Sequence, residues 1–392
     1  MISIWTRKLL FICLLLGLCY AAAFNVPAET LNNTAYQVWA VDQNGNRVYI
    51  LNPDGQLLRS IDLAEQVRAE RPHVVTLSKD GKTAFFANTA SNSISIHRTA
   101  TGEAVTVIEN VGKAPHAAQQ NPYDPDRVYV FNIAPQVRDS ANQADGGETI
   151  TELVLEENTW RIGRRLDLAA APALADTDRF PSRRPVLAGF APGGRIMLVS
   201  LFHGGVAAVD LQAWQVTDAW GSDQIREHAT VLVASPDGKE LYLTAGSKSE
   251  SWLYVFQVAG KPTLVASHNL STLGQDAHGA AIDPVRNELW VVHRASSNAT
   301  VHPLATIRSD KPASGVVPFV GKIPDLIAIS PDGQRGFVTL RGPNPAPTIP
   351  FPLTGEAPGV AIIDIPGRKL LKTLQLGDPT QGDFHGIEIL VP

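Results

Sequence analysis

Short apolar runs, each followed by a polar turn and then by a run rich in aromatic and β-branched residues, recur along almost the whole chain. The turns read LSKDGK at Leu77 to Lys82, NPYDPDR at Asn121 to Arg127 and APGGR at Ala191 to Arg195. They continue as SPDGK at Ser235 to Lys239, DPVRNE at Asp283 to Glu288 and SPDGQ at Ser330 to Gln334. Proline presets the first corner and Asp or Gly fills the next, the chemistry of a tight reversal between antiparallel strands. TAFFAN, RVYVFN, RIMLVS, ELYLTA, ELWVVH and GFVTL follow in that order as the returning strands. Turn chemistry alone therefore predicts six hairpins.

A seventh copy is divided between the two ends. Phe384 to Val391 (FHGIEILV) reads as a first strand with nothing after it, and Gln37 to Asp42 (QVWAVD) as a second strand with nothing before it. Arg47 to Asn52 and Leu57 to Leu63 then supply the third and fourth strands. Joining the ends closes a ring of seven units and removes the sheet edges that an open array would expose. The expected fold is all-β, a seven-bladed propeller of four-stranded antiparallel blades forming one domain over 24–392. Equivalent positions mostly repeat every 43 to 48 residues, and the longer intervals place insertions at about 136–185 and 341–358.

FFANTASNSISI at Phe85 to Ile96, with the SPDG turns, resembles the repeat of the YVTN-type seven-bladed propellers. That resemblance implies blade architecture, not chemistry, because such propellers include lactonases, dehydrogenase subunits, copper-cluster domains and non-catalytic binders. NPYDPDRVYVFN is also similar to a lactonase blade segment, but Asn121 stands where those enzymes carry His and no Glu follows Asn132.

Composition narrows the setting. Arg7 and Lys8 precede an apolar run from Leu9 to Leu18, and Ala21 to Ala23 follow, which predicts a signal peptide cleaved near Ala23 and a periplasmic or secreted protein. Nothing later is long and apolar enough to span a bilayer. Cleavage removes Cys13 and Cys19, the only cysteines, so no disulfide, thiolate ligand or cysteine nucleophile is expected in the mature chain. The formal charge of -5 becomes -7 once Arg7 and Lys8 are lost, which makes nucleic acid an improbable partner. No P-loop or dinucleotide fingerprint occurs, so no nucleotide cofactor is expected.

Candidate chemistry emerges from the repeat frame. Five residues before each turn's Ser position stand His73, His116, Val186, Thr230, His278, Asp325 and His385. The chain holds 10 His, and random placement would put about 0.2 of them at seven set positions. First strands begin where the central channel opens, so His73, His116, His278 and His385 are expected to form an inward ring able to bind copper or zinc. Asp325, His228, His293, Asp42 and Arg341 fall near the same rim and are the expected ligand-binding neighbours, with His203 also able to reach it. His97, His268 and His302 fall on outer-strand or loop positions, where packing accounts for them.

Two functions fit. The first is a propeller binding a small molecule or transition metal at the channel mouth, extending to metal-dependent oxidoreduction. The second is a non-catalytic module whose rim loops grip a periplasmic protein, cell-wall or nucleic-acid partner.

Overall fold

The computed structural model describes residues 35–134, 145–309, 315–346 and 353–391. The expected signal segment, and parts of both expected insertions, lie outside those residues. Seven four-stranded antiparallel sheets form a ring of blades. Their first strands are Pro72–Leu77 (blade 1), Pro115–Asn121 (blade 2), Pro185–Phe190 (blade 3) and His228–Ala234 (blade 4), then Ala277–Asp283 (blade 5), Pro324–Ile329 (blade 6) and Phe384–Leu390 (blade 7). In blade 7 the C-terminal strand pairs with Gln37–Asp42, so the two ends of the chain close the ring as the split repeat predicts. The range 136–185 is not a pure insertion: it carries Thr149–Glu156 and Thr159–Asp167, the third and fourth strands of blade 2. The range 341–358 lies between the second and third strands of blade 6.

The SPDG-type turns are held by one repeated set of bonds. Ser78 Oγ donates to Asp80 Oδ1 at 2.6 Å, that oxygen accepts Lys82 N at 3.1 Å, and Thr83 N returns to Ser78 Oγ at 2.9 Å. Ser235 with Asp237, and Ser330 with Asp332, repeat it. Gly81, at φ 69°, takes the left-handed corner that a side chain would strain.

Seven apolar clusters hold the ring, one at each seam between adjacent blades. The seam between blades 7 and 1, for example, stacks Trp39 on Phe86 at 6.4 Å. Each large side chain buried there stabilises the ring by about 1.5–3 kcal/mol, which suits a fold that expects no disulfide.

Candidate metal centre

Every first strand carries a β-bulge at its opening residues. A bulge re-aims the side chain beside it, and the residue beside it in each blade is the one picked out by the repeat frame. All seven of these residues are buried. Second strands fix their height in the channel: Ser200 Oγ donates to Thr230 O at 2.7 Å, Thr244 Oγ1 to His278 O at 2.5 Å and Thr339 Oγ1 to His385 O at 2.7 Å.

His73, His116 and His385, from blades 1, 2 and 7, converge. One ring nitrogen from each lies within 4.8 Å of the others, so the three form a group able to hold a metal ion. His73 stacks on His385 at 3.8 Å between ring centroids and meets His116 edge-on at 4.5 Å. They face a cavity of about 20 Å³ whose other walls include His228, His278, Arg294, Phe202 and Ile133. That volume accepts an ion or one water-sized molecule.

The tautomers are set by groups behind the rings. His385 Nδ1 reaches Asp325 Oδ2 at 2.7 Å, and His116 Nδ1 reaches the Val186 carbonyl at 2.9 Å. Neither partner can donate, so Nδ1 carries the proton in both. His73 Nδ1 reaches Gln43 Oε1 at 2.7 Å, and the Gln43 amide is fixed in turn because its Nε2 donates to Asp383 Oδ2 at 2.8 Å. All hydrogen bonds seen on these three rings run to Nδ1, which leaves Nε2 for an ion. This is how metal-bound imidazoles are oriented by outer partners.

Electrostatics agree with that role. Burial first, then the neighbouring His385, His116 and Arg341, hold His73 well below the ordinary imidazole range, and burial lowers His116 to about 3. Both rings are therefore neutral at physiological pH, the form that ligates. Burial alone would raise the Asp325 carboxyl, but His385, Arg341 and His278 outweigh it and hold it well below the usual carboxylate range. Arg341 binds Asp325 at 2.7 Å and grips both oxygens of Asp383 at 2.6 Å, and Arg294 is paired with Asp276 at 2.8 Å. Three buried carboxylates, Asp276, Asp325 and Asp383, thus face two guanidiniums, which leaves one net negative charge beside the neutral rings.

The other expected residues divide. His278 lines the same cavity but lies outside the group of three, and Asp325 and Arg341 stand behind the rings. His228, two residues before Thr230 at the repeat position of blade 4, also lines the cavity. His293 does not line it: Nδ1 meets Ser251 Oγ at 3.1 Å and Nε2 meets Thr300 Oγ1 at 2.9 Å, so both nitrogens serve the interior of the blade. Asp42 accepts Gly45 N and Asp383 N, each at 3.0 Å, and so positions Asp383 from behind. His203 is exposed and packs on Phe202, which in turn covers His228. His97 and His302 are fully buried on third strands, and His268 bonds Ile307 O. Sequence reasoning missed Gln43, Asp383 and Arg294, which lie outside the repeat frame.

No family model matches the chain, and no curated protein does so either. Solved structures do. The periplasmic gluconolactonase PpgL of Pseudomonas aeruginosa matches with TM-score 0.66 at 15% identity over 91% of this chain and 99% of its own. A candidate 6-phosphogluconolactonase from Bacteroides fragilis matches with TM-score 0.65 at 14% identity over 91% and 98%. The dihydro-heme d1 dehydrogenase NirN matches with TM-score 0.56 at 13% identity over 90% and 75%. At such identities the likeness is one of fold: the chain is a seven-bladed β-propeller.

Proposed function

We propose that this protein is an exported propeller that holds one transition-metal ion, copper or zinc, at the mouth of its channel through Nε2 of His73, His116 and His385. The observation that carries the reading is the convergence of three buried imidazoles whose Nδ1 atoms are all engaged from behind. Nitrogens on one ion at about 2.0–2.1 Å are at most about 4.2 Å apart, so binding needs only a small inward movement of the rings. Three imidazoles leave a coordination position open to the cavity. Copper there would supply one-electron chemistry, and oxidoreduction is the activity class to assay first.

Lactone hydrolysis is not part of the proposal. Asn121 is spent on Gly194 O at 3.0 Å and Tyr123 N at 3.0 Å, at the far end of its strand from His116. Among the described residues no helix is long and apolar enough to cross a membrane, which accords with export. Thermal unfolding tests the proposal. Copper or zinc at about 1,000 times its Kd should stabilise the fold by about 4 kcal/mol and raise Tm by several degrees. The rise should vanish in His116→Ala, and an unchanged rise in that variant would overturn the assignment.

A further inference from the structure

The part of the cavity wall that the three ligands do not supply has its own chemistry. Arg294 is 2% exposed, its Nε and Nη2 are committed to Asp276, and Nη1 stands 3.7 Å from Asp325 Oδ1. His228 and His278 are 7% and 6% exposed, and Nδ1 of each is buried without a hydrogen-bond partner. Asp325 Oδ1 is unpartnered as well: His278 Nδ1 is 3.3 Å away but misaligned for a bond. Leaving a buried polar atom unpaired costs about 1–3 kcal/mol, and two of these atoms belong to His228 and His278, which line one space of about 20 Å³.

We propose that His228, His278 and Arg294 form the seat of a water-sized anion of one heavy atom, bound at the open position of the ion that His73, His116 and His385 hold. This rests on the metal reading. The bound ion supplies the charge, since Arg294 is already paired with Asp276, while the two imidazoles supply hydrogen bonds and Phe202 and Ile133 complete the wall. The size of the cavity sets selectivity: hydroxide or fluoride fits, and a longer anion does not.

The test uses the whole protein loaded with cobalt(II), whose visible bands report coordination. Fluoride should shift those bands saturably, and thiocyanate should leave them unchanged at the same concentration. In His228→Phe, and separately in Arg294→Gln combined with Asp276→Asn to avoid a stranded carboxylate, the fluoride Kd should rise at least tenfold on the cobalt-loaded fraction. The two variants remove different groups, so either one that folds and holds cobalt decides the matter. Bands that ignore fluoride, that respond equally to thiocyanate, or that keep wild-type fluoride affinity in the variants would overturn the seat while leaving the metal site standing. Absence of any cobalt band in the wild-type protein would instead remove the metal reading, and the seat with it.

Discussion

His385 Nδ1 and Asp325 Oδ2 stand 2.7 Å apart, and the same carboxylate oxygen receives Arg341 Nη1 at 2.7 Å. One buried carboxylate therefore orients an imidazole toward the channel while its own charge is balanced from behind. Asp325→Asn keeps the shape but weakens the acceptor that fixes His385. Outer partners of this kind are worth 10–100-fold in metal affinity. Competition against a chromophoric chelator should show a loss of about that size, and unchanged affinity would mean that His385 does not ligate.

Arg341 should act on stability. Its guanidinium neutralises Asp325 and Asp383, and all three groups are buried. Arg341→Met strands both carboxylates and should cost about 3–5 kcal/mol in urea unfolding. Arg341→Lys should recover only part of that, because an ammonium cannot span both oxygens of Asp383.

His293 offers a contrast within the same residue type. His293→Leu removes one hydrogen bond from each of Ser251 and Thr300 and should cost about 1–3 kcal/mol. Metal content should stay at the wild-type level, since His293 does not line the cavity. A loss of metal in folded His293→Leu would contradict the site drawn above.

Glu388, three residues beyond His385, gives a pH dependence. Burial raises its carboxyl to about 7 from 4.5, although Leu77 N–H favours the ionised form. A carboxyl that is harder to ionise when folded contributes stability in full below the unfolded value and loses it as pH rises through the folded one. Stability should therefore fall between about pH 4.5 and 7, by an amount on the order of 1–3 kcal/mol. Glu388→Gln should flatten that slope in unfolding experiments run across the window, and an unaltered slope would remove Glu388 as its source.

Much of this was readable from the chain. The turn residues around Ser78, Ser235 and Ser330 make the same side-chain bonds in three blades, so their recurrence marks the repeat, and the repeat frame finds His73, His116 and His385 because ring closure brings equivalent positions together. Side-chain direction was less accessible. Asp42 and His293 sit at strand ends on the expected rim, yet Asp42 turns to Gly45 N and His293 to two hydroxyls. Gln43 and Asp383 escaped notice because their contact spans 340 residues and exists only once the ring is closed. Arg294 escaped because it follows a second strand, outside the counted positions.

Metal content tests the central claim most directly. The full chain should be expressed, purified without chelator, and analysed for copper and zinc beside the His116→Ala, His385→Ala double variant. The account predicts about one equivalent in the wild-type protein and none in a folded double variant. A wild-type protein that stays empty even after exposure to both ions, or a double variant that keeps its metal, would contradict it.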